Sequence, residues 1–404
     1  MTLGCRLNSY ESEVIREHAR AAGLDDVVII NSCAVTGEAE RQTRQVIRKA
    51  RREHPSGFLI VTGCAAHIHP DRFSSMPEVD AVVPNTDKLK ADVYVALKEK
   101  RDYAPAFVEG ALYDAPLVHG FEGKTRAFVQ IQNGCNNACT FCIIPQGRGS
   151  SQSVALSRVI EQVRALAPHY PEITLTGVDI ASYDLDGIKL GSLVKRLLAE
   201  VPELQRLRLS SLDPAVLDED LWDVIACEER LMPSLHLSVQ AGDDMILKRM
   251  KRRHNRQDVY DIVRRARAVR PEITFGADVI AGFPTEDEVM FENGYRLFED
   301  LDFTWMHVFP YSPREGTPAA RMPQVESKIR KMRAARLREL GGKAIQCHLE
   351  SLVGQELSVH VEKETLGRTP TFAEIILDKP QVPATVVRVL VTGIDGQQAI
   401  GEVL

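Results

Sequence analysis

The 404-residue sequence predicts an α/β protein in three parts: an N-terminal parallel βαβ domain, a central (βα)6 sheet curled as a partial barrel, and a small all-β barrel. Three observations carry this. Short apolar runs alternate with amphipathic stretches up to about residue 349, the pattern of parallel strands joined by crossover helices. A stretch holding Pro105, Gly110, Pro116, Gly120 and Gly123, with no sustained period, interrupts it at 101–126 and reads as a connection. After about residue 350 helical periodicity gives way to short strands. The parts fall at residues 1–110, 121–350 and 351–404.

In the first part, Thr2–Leu3 is a short strand running into Gly4-Cys5. An amphipathic helix from Ser9 to Ala22 follows and stops at Gly23, a natural helix C-cap. Val27–Asn31 is a buried strand leading to Ser32-Cys33, 38–53 is a helix, and Phe58–Thr62 is a strand leading to Gly63-Cys64. Cys5, Cys33 and Cys64 are 28 and 31 residues apart, close to the length of one βαβ unit. Parallel strands end along one edge of their sheet, so three cysteines that follow three strands converge in the shape of a ligand site. His67 and His69, just behind Cys64, read as loop residues rather than ligands.

The middle part offers strands at Ala127–Ile131, Ile173–Thr176, Arg206–Ser210, Leu235–Gln240, Thr274–Ile280 and Thr304–Phe309, and folds of this kind place their active site at the C-terminal strand ends. A basic helix over Val325–Leu349 leads to strands at Glu356–Glu362, Thr371–Leu377, Thr385–Thr392 and Gln398–Val403, with Asp395-Gly396 turning the last hairpin.

At 44% hydrophobic and 26% charged, with no low-complexity stretch, the composition is that of a soluble globular protein. The longest apolar runs are far too short to cross a bilayer, and the charged first thirty residues are unlike a signal peptide. No membrane partner and a cytoplasmic location are expected. In that compartment eight cysteines are not a disulfide framework. Cys227 and Cys347 stand alone and read as ordinary thiols. The net charge is −6, but 41–52 and 248–256 each hold six Lys or Arg and no acid, and 325–343 holds seven against two acids. An acidic body with basic patches suits a specific polyanion site. Any single patch reads equally as a solvated helix face.

Chemistry enters with Cys135-Asn136-Asn137-Ala138-Cys139-Thr140-Phe141-Cys142, a CxxxCxxC loop behind the first central strand. Thiolates are the soft ligands that iron–sulfur clusters take, whereas structural zinc asks for four ligands and no histidine lies nearby. Three thiolates leave one iron of a [4Fe–4S] cluster open. The loop, with an aromatic before its last cysteine, resembles the signature of radical S-adenosylmethionine (SAM) enzymes. In that superfamily the open iron chelates SAM, and one electron cleaves it to a 5′-deoxyadenosyl radical. Thr176-Gly177-Val178-Asp179, Leu209-Ser210-Ser211, Leu237-Ser238-Val239-Gln240 and Asp278-Val279-Ile280-Ala281-Gly282 follow in the family's order. The resemblance implies that Phe141, Gly177, Asp179, Ser211, Gln240, Asp278 and Gly282 surround SAM.

Leu3-Gly4-Cys5-Arg6-Leu7-Asn8, Asn31-Ser32-Cys33-Ala34-Val35-Thr36 and Thr62-Gly63-Cys64-Ala65-Ala66 look like the N-terminal domain of methylthiotransferases, and His307 to Thr317 matches a further family segment. The resemblance implies a second, auxiliary [4Fe–4S] cluster on Cys5, Cys33 and Cys64, and an RNA-binding TRAM-like C-terminal barrel. Residues 6–13 and 35–41 are most similar to the sub-family that methylthiolates carbon 2 of N6-threonylcarbamoyladenosine at position 37 of transfer RNA. Isopentenyladenosine in tRNA, a ribosomal-protein aspartate, and a non-catalytic iron–sulfur RNA-binding protein are the alternatives. The implied partners are a tRNA anticodon stem-loop and an electron donor of flavodoxin or ferredoxin type. Arg330, Arg333 and Arg336 are candidate tRNA contacts, and Arg253 a candidate partner for the substrate carboxylate. Two features depart from the family pattern. Only three residues precede Gly4, which points to a start upstream. From Gly354 onward there are four Lys or Arg against seven acids, with Phe372 the only aromatic, so little there suits RNA stacking or phosphate neutralisation.

Overall fold

The computed structural model describes residues 1–99 and 115–404. Pro105 and Gly110 of the expected connection, and the expected boundary at 110, lie outside the described residues. Helix α1 (Arg6–Ala21) begins directly after Cys5, earlier than its apolar stripe suggests, and ends ahead of Gly23 at φ +66°. Leu7, Tyr10, Val14 and Ile15 form its buried face. The expected strand at Thr2–Leu3 is only a parallel bridge from Thr2 to Asn31, because too little chain precedes Gly4 for a ladder. Strand β1 (Val27–Ser32), helix α2 (Gly37–Glu53) and strand β2 (Phe58–Gly63) fall within one residue of expectation. Thr36 caps α2 by accepting from the Ala39 amide at 3.1 Å, a contact worth about 1 kcal/mol.

β1 and β2 pair in parallel from Val27↔Phe58 to Ser32↔Gly63, so Cys33 and Cys64 leave the sheet side by side. Helix α3 (Cys64–Ile68), a one-turn helix at Pro70–Ser74 and strand β3 (Ala81–Val82) follow, all too short to show a period. His67 therefore lies in a helix and His69 at the junction of two, not in a loop. The reason is the tight turn at Gly63, φ +96°, which starts α3 at once.

The central strands are β4 (Arg126–Gln130), β5 (Glu172–Thr176), β6 (Arg206–Leu209), β7 (Ser234–Gln240), β8 (Thr274–Ala281) and β9 (Trp305–Pro310). They form parallel triplets β4-β5-β6 and β7-β8-β9, joined by bridges such as Leu212 to Leu237. Spatial order thus repeats chain order, the partial barrel expected. Leu235, Leu237, Val239, Ala277 and Val279 pack into the core between sheet and helices. The alternate residues His236, Ser238, Gln240 and Asp278 face the concave side, as strand periodicity requires. Between β4 and β9 the barrel is open. The N-terminal unit straddles this seam, with α1 on β4 and α2 on the segment behind β9, where Gly37 N donates to Ser312 Oγ at 3.2 Å and Arg314 pairs with Glu40. Helix α4 (Ile144–Arg148) follows the CxxxCxxC loop, and α5 (Ser327–Leu352) leads out of the barrel.

The C-terminal strands Glu356–Lys363, Leu366–Arg368, Glu374–Leu377, Val386–Asp395 and Gln398–Val403 close into a barrel. Leu366–Arg368 was too short to read from sequence. The strand expected from Thr371 starts only at Glu374, since Phe372 at φ +77° interrupts extended backbone. This barrel docks under the N-terminal ends of the central strands. Arg208 donates to the carbonyls of Thr369 and Pro370, both at 3.1 Å, and Trp305 Nε1 to that of Thr371 at 3.0 Å. The Phe372 ring lies 4.6 to 5.6 Å from the guanidinium carbons of Arg126, Arg208 and Arg368. The barrel's one aromatic serves docking rather than a stacking platform. No helix among the described residues is long and apolar enough to cross a membrane.

Candidate functional site

The CxxxCxxC loop runs between the short β-pair at Gln132–Asn133 and α4, above the C-terminal ends of β4 and β5. Its sulfurs are electrostatic neighbours of one another. Burial, then its cysteine neighbours Cys139 and Cys135, push the Cys142 thiol up to about 12, and burial raises Cys135 as well. Donors meet the sulfurs: Asn137 N lies 3.4 Å from Cys135 Sγ and Arg252 Nη1 3.6 Å from Cys139 Sγ. Neighbouring thiols, costly to ionise without a cation and met by N–H donors, suit a cluster whose irons neutralise them. Gln132 ties this loop to the next strand end. Its Oε1 accepts from the amides of Val178 and Asp179, both at 2.9 Å, and its Nε2 donates to Gly134 O at 2.7 Å. Asp179 in turn accepts from Asn137 Nδ2 at 2.9 Å and Ser182 Oγ at 2.8 Å.

The N-terminal cysteines converge as their strand ends require. Burial pushes the Cys33 thiol up to about 11, with Cys64 and Cys5 adding to it. Gly4 must be glycine: at φ +100°, a Cβ there would stand 2.8 Å from Cys33 Cβ and 3.0 Å from its sulfur. Cys64 Sγ accepts from Asn85 Nδ2 at 3.5 Å. Neither cysteine triad is drawn in to single-ion spacing among the described residues.

The two triads are joined by Arg148, which sequence reasoning missed. It is the last residue of α4, and its guanidinium donates to Glu11 Oε1 at 2.7 Å, Asn8 Oδ1 at 2.7 Å and Asn133 Oδ1 at 3.0 Å. Lys88 Nζ completes the cluster at 2.5 Å from Glu11 Oε2, with both side chains 1% exposed. Burial alone would raise the Glu11 carboxyl, but Arg148 and Lys88 outweigh it and bring it to about 2. Cys64 and Cys5 are electrostatic neighbours of Arg148, and Gly147 packs against Cys64.

The remaining candidates divide. Phe141 meets Phe283 edge-on at 6.4 Å, and Gly177 lets the chain pass Gln132, where a Cβ would lie 2.7 Å from its carbonyl oxygen. Gln240 ends β7 at φ +70°, and Ser211 follows β6 half-buried. Gly282, φ +70°, faces Arg330, whose Cγ would lie 2.4 Å from an added Cβ, so α5 alone already demands glycine there. Asp278 sits deeper, its Oδ1 3.2 Å from His236 Nε2 and 3.4 Å from His307 Nδ1. Four other candidates are already engaged. Arg253 stands between Asp213, at 3.3 Å, and Asp179, at 3.9 Å. Arg333 is buried against Glu286 and Glu288, and Arg336 bridges Glu288 and Glu292. Arg330 donates to Tyr311 O at 2.8 Å. Of the basic residues of α5, Arg333 is buried and Arg330 and Arg336 are half-buried where the helix lies against the motif that ends β8, whereas Lys328, Lys331, Arg338 and Lys343 are exposed. Cys227 and Cys347 are exposed and take no part.

Comparison with known proteins agrees with this geometry. Residues 129–298 match the model of the radical SAM superfamily, and residues 1–84 that of the uncharacterized protein family UPF0004. The threonylcarbamoyladenosine tRNA methylthiotransferase MtaB of Rickettsia prowazekii (strain Madrid E) is 48% identical, over 94% of this chain and 91% of the relative. The Aquifex aeolicus (strain VF5) protein of the same name is 34% identical over 96% and 98%. A tRNA-2-methylthio-N(6)-dimethylallyladenosine synthase of Ehrlichia canis (strain Jake) is 32% identical over 88% and 86%. Among solved structures, the radical S-adenosylmethionine methyltransferase TsrM from Kitasatospora setae shares the fold, with a TM-score of 0.55 at 16% identity over 76% of this chain and 66% of that one. With a radical SAM core, its cluster-type cysteine loop, and relatives aligned nearly end to end, this chain belongs to the radical SAM methylthiotransferases.

Proposed function

We propose that this enzyme adds a methylthio group to carbon 2 of N6-threonylcarbamoyladenosine at position 37, beside the anticodon of tRNA. The observation that carries the reading is the joining of two separate cysteine triads through Arg148, supported by the 48% identical relative named for that substrate. Cys135, Cys139 and Cys142 hold the SAM-cleaving [4Fe–4S] cluster, and Cys5, Cys33 and Cys64 an auxiliary one. Bound there, reduced cluster and SAM supply one-electron chemistry able to take a hydrogen atom from a carbon that no side-chain base can deprotonate.

The chain itself positions and shields. Gly177, Asp179, Ser211 and Gln240, at three neighbouring strand ends or just behind them, line the SAM position, with Phe141 and Gly282 beside it. The Gln132 hub fixes Asp179 against the cysteine loop, so SAM and cluster are held in one frame. The N-terminal unit across the barrel seam excludes water. A flavodoxin- or ferredoxin-type protein delivers electrons, and the enzyme works in the cytoplasm. The three divisions 1–110, 121–350 and 351–404 correspond to auxiliary-cluster, radical and TRAM-like domains.

Nucleoside mass spectrometry of tRNA from cells with and without the gene tests this. The methylthiolated threonylcarbamoyl nucleoside should vanish with the gene. Loss of the methylthio isopentenyl nucleoside instead would move the substrate to that of the Ehrlichia relative.

A further inference from the structure

We propose that Arg6 and the His236–Asp278–His307 cluster form the pocket that reads the polar N6 substituent of the substrate, Arg6 holding its carboxylate and His307 its hydroxyl. This rests on the threonylcarbamoyl reading and adds the residues that select for it. Arg6 is the first residue of α1, half-buried, one position after Cys5. Among the described residues its guanidinium has no hydrogen-bond or ion-pair partner, although Arg126, Glu172 and Asp278 are its electrostatic neighbours. Other cations near the site are engaged: Arg148 by Glu11, Arg252 and Arg253 by Asp213. A desolvated guanidinium with no hydrogen-bonded anion is costly, and its planar fork fits a carboxylate in two-point contact.

The other groups come from three adjacent strands, His236 on β7, Asp278 on β8 and His307 on β9, all on the concave face, and Asp278 is an electrostatic neighbour of Arg6. Gly276 leaves room for the His236 ring, since a Cβ there would lie 2.4 Å from Nδ1. The two imidazoles are 4.8 Å apart between centroids and share Asp278 Oδ1. Asp278, 26% exposed, thus faces both rings, while His307 is 61% exposed. The asymmetry sets direction. Asp278 repels a carboxylate toward Arg6, and an uncharged hydroxyl is accepted at the His307 end. The pocket also lies below the SAM position. Asp278 and His236 are mid-strand, and Glu172 and Arg126 open their strands, whereas Gly177, Ser211 and Gln240 stand at or behind strand ends.

The test measures equilibrium binding of anticodon stem-loops to the anaerobic, cluster-loaded enzyme. Three RNAs are compared: threonylcarbamoylated, the same with its carboxylate amidated, and unmodified. Wild type should bind the first roughly ten- to a hundred-fold tighter than the amidated RNA. Arg6→Gln should lose that preference, Arg6→Lys should recover part of it, and His307→Ala should weaken both modified RNAs alike. Because the amidated RNA probes the wild-type protein, a folding defect in Arg6→Gln does not decide the matter. A wild type indifferent to the threonylcarbamoyl group would overturn the substrate reading itself. A discriminating wild type whose preference survives Arg6→Gln would overturn only the pocket. So would a matching rise in the SAM dissociation constant, which would assign Arg6 to SAM, or stoichiometric zinc or manganese lost in His307→Ala.

Discussion

Arg148 keeps only the neutral oxygens of Asn8 and Asn133 if Glu11 is removed, and Glu11 keeps only Lys88 without Arg148. Both are sealed from solvent, so the pair is unlike the exposed ion pairs of α2, which contribute little. Arg148→Met leaves a buried carboxylate with Lys88 alone and should cost about 3–5 kcal/mol in urea unfolding. Single residues also separate the two triads. Cys33→Ala should still cleave SAM to 5′-deoxyadenosine but yield no methylthio nucleoside, while Cys139→Ala should lose both activities, as single-turnover chromatography would show. Loss of SAM cleavage in a folded Cys33→Ala protein would reverse that division. The convergence of the cysteines was legible in the sequence because a local spacing, or one residue per strand end, brings them together. Arg148, Glu11 and Lys88 were not, since their pairing spans 137 and 77 residues and a lone charge in a polar stretch looks solvated.

At the scale of elements, the apolar runs located every central strand to within a residue or two, because each is bounded by turn residues and buried on one face. What escaped were pieces of two or three residues, Ala81–Val82 and Leu366–Arg368, held by neighbours rather than by their own pattern. Charge patterning misjudged one arginine of α5. Its arginines suggested an RNA face, but Arg333 is 4% exposed and its Nη1 donates to Glu286 Oε2 at 2.8 Å. Arg333→Ala should therefore lower the unfolding midpoint while leaving the salt dependence of tRNA binding unchanged. The window 248–256 differs: Lys248 and Lys251 are exposed. Reversing both should flatten the slope of log affinity against log salt by about one to two, measured by filter binding. An unchanged slope would place the RNA track elsewhere.

For the whole molecule, anaerobically reconstituted protein should hold about eight irons, and replacing Cys135, Cys139 and Cys142 together should halve that. Zinc in their place would contradict the site described above. The C-terminal barrel closes the floor of the central one through Arg208, Trp305 and the three guanidinium groups around Phe372. Its acidic surface and occupied aromatic leave it suited to closing the radical chamber more than to gripping RNA. The Arg148 junction reaches further. Whatever loads metal at one triad stabilises the arrangement of α4 against α1, and that same arrangement shapes the other triad. By thermodynamic linkage each filled site then raises the affinity of its partner by an equal factor. Iron and sulfide titrated into apoprotein should populate empty and fully loaded molecules at the expense of half-loaded ones, and native mass spectrometry would count them. In Arg148→Met the half-loaded species should accumulate, turning an all-or-none maturation into two independent ones.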